Sequence, residues 1–448
     1  MAPRRRANRR ANSPKRSRGE ATQNLGELSP DEKDRPSIIK NLPNELIHHI
    51  TGYLWNDRYS LLDCITVCRS WHTAALPHLY HTYDLAKMDD LAQLEGQIKN
   101  DRRVGYWIKE LRIHRVSALE PTVSQSQGIL PLQLFLERFP VHLPEALKSL
   151  RGIEFHGFYA YPDTAWANVP LTSFLEALGS FASVTTITFV GCSLPLYVTL
   201  AFVHALPNVV DLHCHGNYCV DFGSPESTVT QRFPRIHPLA LSSIRLHRAG
   251  SVNGEYISML RAITHDCPSI KLQTLHLDLC DTWSARWEPL TSCLTQLGPT
   301  LLSLKLIFPR AIRPQNDAGA FTANVKRHVD LGVFTNLRAL HIYSLQYRSA
   351  TLHLLSHLSS PHIREIKLDA SFEYIRQIKA KDFMDHDTIL AKPHFSNLTE
   401  VRVRYSGPLT PKRVERKIVS VFPKTSAKGT LRVVKVRAGN WDICEETS

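Results

Sequence analysis

The amino-acid sequence predicts an α/β chain: a small N-terminal unit of three helices, then a long stack of β/α repeats sharing one curved parallel sheet. Three observations predict it. "LPNELIHHITGYL" from Leu42 and "VCRSWHTAALPHLY" from Val67 carry apolar residues at helical spacing. Beyond about residue 100 a different pattern, apolar-x-x-apolar-x-apolar, recurs eleven times. Helix-patterned stretches such as "LTSFLEALGS" and "GEYISMLRAIT" lie between the recurrences.

Residues 1–36 come first. They hold few large apolar side chains, too few to offset the entropy of ordering, and are expected to be a disordered tail. Residues 1–19 carry Arg4, Arg5, Arg6, Arg9, Arg10, Lys15, Arg16 and Arg18 and no acid. The two clusters resemble a bipartite nuclear import signal, and a solvated basic tail is the alternative. Ser13-Pro14 resembles a proline-directed phosphorylation site, where a phosphate would cancel local charge.

Residues 37–85 are assigned to the helical unit. Pro43 suits a helix's first turn, where its missing N–H costs nothing. Leu46, Ile47, Ile50, Tyr53 and Leu54 form an apolar stripe that Asn56-Asp57 interrupts. Leu61, Leu62, Ile65 and Val67 begin a second apolar segment, which Cys68, Trp71 and Ala75 continue, and Pro77 is expected to end the last helix. Cys64 and Cys68, one helical turn apart, are expected to be core packing.

Residues 86–440 are assigned to the repeats. The template begins at Ile108, Leu150, Val184, Val209, Leu241, Leu272, Leu301, Leu337, Ile363, Leu398 and Leu431, mostly 25–36 residues apart. Strand, loop and helix at that period is the signature of a leucine-rich-repeat-like solenoid. A barrel fits worse, because eleven strands exceed eight. Insertions interrupt the repeats near 114–147, 216–238, 309–333 and 372–394, most turns lack the consensus asparagine, and 441–448 form a C-terminal tail.

The N-terminal unit resembles the F-box. Leu42-Pro43, Glu45-Leu46, Ile50, Leu54, Leu61 and the Val67-Cys68-x-x-Trp71 ending carry the resemblance, in order and at the family's separations. "WNDRYS" after Leu54 is a departure that could shift the second helix. The resemblance covers about 40 of 448 residues. It implies docking on a Skp-type adaptor, and through it a cullin, by Leu42, Pro43, Leu46, Ile50, Leu54, Leu61, Val67, Cys68 and Trp71. The function implied is that of a non-catalytic substrate-recognition subunit of a ubiquitin ligase. The irregular repeats are of the kind fungal members carry. Physical chemistry argues the same way: a unit this small, apolar on more than one helical face, has surface that something must cover. The solenoid itself, needing a cap, is the other possible cover.

Alternation along each strand puts template steps five and seven on the concave face. Those 22 positions hold eight Lys/Arg, seven His and three acids. The step-three column carries Glu110, Asp211, Glu365 and Glu400 instead, leaving only the C-terminal end plainly positive. There Arg402, Arg404, Lys435 and Arg437 are expected side by side, holding an acidic or phosphorylated protein substrate. A solvated strand face is the alternative. The histidines could make the face more positive below neutral pH.

No cofactor, metal or catalytic set is expected. On a strand, His213 and His215 of "DLHCHGNYC" point away from Cys214, and Cys219 completes no zinc geometry. There is no phosphate-binding loop and no nucleophile elbow. No apolar run approaches the roughly 18–20 residues that span a bilayer, so no membrane partner is expected. Nine irregularly spaced cysteines argue for reduced thiols and a nuclear or cytoplasmic home, where Asn397-Leu398-Thr399 would meet no glycosylation machinery. Two rival functions remain. One is a solenoid scaffold without a ligase role. The other is a nucleic-acid binder using the basic ends, which lacks the interleaved aromatics of single-strand platforms.

Overall fold

The structure is a computed structural model that describes residues 42–114, 139, 143–158, 171–216, 239–247, 255–267, 270–279, 287–308, 317–343, 347–372, 375, 378 and 380–436. The basic tail with its import residues, Ser13-Pro14, Cys219, Arg437 and residues 441–448 lie outside them. The chain divides into two compact units, Met1–Ala75 and Leu76–Ser448.

The first unit holds α1 (Asn44–Tyr53), α2 (Arg58–Val67) and most of α3 (Arg69–Leu79). Pro43 stands just outside α1 as its N-cap, extended at ψ 143°, with its carbonyl accepting from the amides of Leu46 and Ile47. The "WNDRYS" departure does not remove the second helix. Asp57 caps α2, taking hydrogen bonds from the Ser60 amide at 3.2 Å and hydroxyl at 2.7 Å. Two expectations are corrected here. Cys68 is an extended break between α2 and α3, and its thiol is exposed, whereas Cys64 is buried. Pro77 lies inside α3, which runs on to Leu79. So near a helix end a proline forfeits only one bond of the last turn.

The second unit is one twelve-stranded parallel sheet: β1 (Thr82–Leu85), β2 (Glu110–His114), β3 (Gly152–His156), β4 (Thr186–Val190), β5 (Asp211–His215), β6 (Ser243–His247), β7 (Thr274–Asp278), β8 (Ser303–Ile307), β9 (Ala339–Tyr343), β10 (Glu365–Ser371), β11 (Glu400–Ser406) and β12 (Leu431–Lys435). Strand order follows the chain, and β1 and β12 are the free edges, so the sheet is a solenoid and not a barrel. The connecting helices are α4 (Met88–Asn100), α5 (Arg103–Trp107), α6 (Leu143–Ala146), α7 (Leu171–Gly179), α8 (Leu196–Ala205), α9 (Glu255–Asp266), α10 (Trp287–Leu297), α11 (Asp317–His328), α12 (Arg348–His357), α13 (Ala380–Leu390), α14 (Pro411–Val421) and α15 (Pro423–Ala427). Two expected insertions thus contain ordinary repeat helices, α11 and α13.

Template steps one, four and six are buried from Ile108 through Val403 and join the helices' apolar faces in one continuous core. Within it the Phe155 ring stacks on Phe189 at 5.4 Å and meets Phe202 at 5.1 Å. A backbone device sets the stagger. The residue entering each strand, from His81 through Arg364, offers its carbonyl to two successive amides of the next repeat. Asparagines before three strands add side-chain ties: Asn208 to the Ala182 carbonyl (2.7 Å), Asn336 to Pro299 (2.7 Å) and Asn397 to Pro361 (2.8 Å). Asn397 of the glycosylation-like triplet therefore has a structural task.

The sequence template misses the first strand and misplaces the last. Tyr80, Tyr83 and Leu85 fit the pattern with aromatics in place of leucines, and Tyr83 pairs with Leu111 in register. That strand lies within 37–85, the range assigned above to the helical unit. At the other end Val401 pairs with Leu431, not with Val434. A slip of three residues is odd, so it exchanges the two faces. "LRVVKV" is apolar at 431, 433, 434 and 436, so either register offers buried side chains. The observed one packs Leu431 and Val433 on the core.

A remote carboxylate anchors this C-terminal end. Buried Asp387 of α13 accepts from the amides of Lys424 (2.9 Å) and Thr425 (2.8 Å) and from the Thr425 hydroxyl (2.6 Å). Removing it strands buried donors at the start of α15. Asp387→Ala is expected to cost about 2–3 kcal/mol, read from urea unfolding of the full chain. An unchanged midpoint would refute the anchor.

Candidate functional site

Among the described residues of the first unit, the buried side chains are few: Ile47, Thr51, Leu61, Cys64, Ala74 and Ala75. Thr51 spends its hydroxyl on the carbonyls of Ile47 (3.0 Å) and Ala74 (3.4 Å), tying α1 to α3. So small an interior leaves large apolar side chains outside. Leu46 is 49% exposed and Ile50, at the next turn of the same stripe, 38%. Tyr53, Trp55, Tyr59, Leu62 and Val67 are exposed as well.

Most residues that the F-box resemblance singles out are therefore at the surface. Pro43, Leu46, Ile50, Val67 and Cys68 are exposed, and Leu42, Leu54 and Trp71 half-buried. Leu61 is the correction: at 1% exposure it is interior and supports the surface from beneath. Sequence reasoning did not place Trp55, Tyr59 and Leu62 on this surface. Trp55 stands in the turn, and Tyr59 in the first turn of α2, within the stretch that looked like a mere departure from the family pattern.

In the second unit, steps three, five and seven face away from the core, on what we term the open face. Its C-terminal end is not the free basic cluster expected. Arg402 forks onto Glu400 (3.0 and 2.9 Å) and lies 3.7 Å from Glu365, which also pairs Lys367 at 3.3 Å. Arg404 grips Asp369 with two bonds (2.8 and 2.7 Å) and is itself nearly buried. Lys435 leaves the group altogether. The register slip sets it opposite Tyr405 on the other face, where its ammonium donates to the Leu409 carbonyl at 3.0 Å. Arg432 takes the place beside Arg402. The step-three acids were visible in the sequence, but their reach to the neighbouring column was not.

The column at step five reads His213, Arg245, His276, Lys305, His341, Lys367 and Arg402 across neighbouring strands. Its histidines, and His247 at step seven beside them, do not add charge below neutral pH as expected. Burial, and then the charge of Arg245, push His213 down to about 3. Burial, and then Lys305, lower His247 and His276. Burial also lowers His341, against the pull of Asp369 at 2.9 Å. These rings are neutral at physiological pH. His213 and His215 face the open side while Cys214 is buried in the core, and among the described residues no group of His, Cys, Asp or Glu is arranged to hold a metal. No described helix is long and apolar enough to cross a membrane.

Residues 39–86 match the family model described as F-box-like. No curated protein matches the chain.

Proposed function

We propose, for a chain that carries an F-box-like segment ahead of a leucine-rich-repeat-like β/α solenoid, that it is the substrate receptor of a ubiquitin ligase. The F-box-like unit docks on a Skp-type adaptor, and through it on a cullin, while the open face of the solenoid holds a protein substrate. The chain performs no chemistry itself. It raises the local concentration of a substrate lysine near a conjugating enzyme. The observation that carries the reading is the excess apolar surface of the first unit, from Leu46 to Val67, over an interior of six buried residues among those described. Surface of that kind, rimmed by polar residues, marks a protein interface.

The test is capture of a purified Skp-type adaptor by the full chain. Leu46→Arg and Val67→Arg change exposed positions and leave the small interior intact. Each is expected to weaken adaptor binding about thirtyfold or more, as charge placed in an interface centre does. An adaptor that ignores the wild-type chain rejects the proposal and leaves the scaffold reading. Binding to nucleic acid that collapses with salt would favour the other rival.

A further inference from the structure

At the entry end of the open face, where β2, β3 and β4 begin, lies a cleft of ≈ 360 Å³. Its floor is a register row, Glu110, Gly152, Thr186. Gly152 leaves the notch: a Cβ built there would meet nothing closer than the Glu110 side chain at 3.6 Å. Lys109, Arg151, Glu154 and Thr188 also line it.

The charges in this cleft are unequally satisfied. Glu154 is engaged by Arg112 at 2.8 Å and His156 at 3.0 Å. Glu110 takes the Thr82 hydroxyl at 3.1 Å and lies 3.6 Å from Arg112. Arg112 is thus shared by both acids. Lys109 and Arg151 have no described carboxylate partner. Lys109 donates to the Tyr106 carbonyl at 2.9 Å, and the exposed Arg151 side chain forms no described bond. Burial, and then the charge of Arg151, lower the Lys109 amine, as expected of two cations close together without a counterion. The Thr186 and Thr188 hydroxyls also have no described partner and can donate.

We propose that this cleft receives an oxyanion at the end of a side chain in a bound peptide. Lys109 and Arg151 clasp the anion, Thr186 and Thr188 donate to it, and Glu110 or Glu154 accepts an amide of the same peptide. Two cations, two hydroxyls and room above a glycine suit a phosphoserine or a plain carboxylate. The placement rests on the receptor reading above. It moves the anion site from the neutralised C-terminal end, with Arg402 and Arg404, to the opposite end of the sheet.

The experiment uses the immobilised full chain and three short degenerate peptide pools differing only at the centre: phosphoserine, glutamate or serine. Retention of the phosphoserine or the glutamate pool over the serine pool is expected, and which is retained identifies the source of the oxyanion. Arg151→Glu and Gly152→Ile should each reduce that retention about tenfold or more, the first by charge and the second by filling the notch. Should Gly152→Ile fail to fold, Lys109→Gln takes its place. Equal retention of all three pools, or retention untouched by these variants, overturns the proposal. Adaptor capture is measured on the same preparations. Adaptor bound with no anionic pool retained defeats the cleft alone. An anionic pool retained with no adaptor bound defeats the receptor reading alone.

Discussion

Asp369→Asn is expected to lower the unfolding free energy of the solenoid by about 3–5 kcal/mol, the cost of leaving one partner of a buried ion pair alone. The carboxylate is fully buried and takes three bonds, two from Arg404 and one from His341. Burial by itself would raise its pKa, but His341 and Arg404 outweigh burial and hold it below the ordinary value. Its contribution is therefore complete above the unfolded carboxyl's pKa and lost as pH falls through the lower folded one. The amide preserves volume and removes the charge, so lost packing cannot explain the result. Glu400→Gln is the contrast: its pair with Arg402 is partly exposed, and about 0–1 kcal/mol is expected. Urea midpoints of the two variants should differ clearly, and equal midpoints would sink the argument. One consequence bears on function. Charge reversal at Arg404 would set a carboxylate against Asp369 and damage the fold, so Arg402 is the residue to alter when substrate binding is measured.

Acid should weaken the solenoid while most carboxylates are still ionised. Three histidines of the open face, His213, His247 and His276, stay neutral in the folded chain because burial lowers them, with Arg245 or Lys305 adding to the effect. Unfolded, each takes a proton below about pH 6.5. The sign follows: the unfolded chain binds more protons, so stability rises with pH and is lost as pH falls below that value. At pH 5 each contributes about 1–2 kcal/mol of destabilisation, and together about 3–6 kcal/mol. The surroundings reinforce this. Besides one another, His247 and His276 face Lys305 and Arg245, with His215 beside the first and His341 beside the second. At His213 the Glu154 carboxylate pulls the other way without outweighing burial. Urea midpoints at pH 7.5 and pH 5 should separate strongly, and His247→Gln should reduce the separation. Identical midpoints at the two pH values would overturn the assignment.

Much of this was legible beforehand. Helical spacing from Leu46 to Leu54 and the break at Asp57 located the first two helices, because an amphipathic helix writes its period into neighbouring residues. Ten strand registers, from Leu111 to Val403, followed from the apolar template for the same local reason. Less was visible wherever two solutions satisfied the same pattern. Leu46 and Leu61 both sit in apolar stripes, yet one is surface and the other core. Tyr80 and Tyr83 carried the first strand's signal in aromatic form, and the doubly apolar "LRVVKV" allowed either face of the last strand to turn inward.

From the sequence by itself came the order of units, the F-box pattern and which residues point inward on ten of the twelve strands, β2 to β11. These depend on pleat and helical period, properties of a few adjacent residues. Tertiary structure alone decided which charges remain available. Arg402 and Arg404 are spent on Glu400 and Asp369, whereas Lys109 and Arg151 line a cleft over Gly152. Electrostatic partners come from neighbouring repeats, many residues away along the chain. Desolvation depends on what the whole sheet covers, and no local pattern records either.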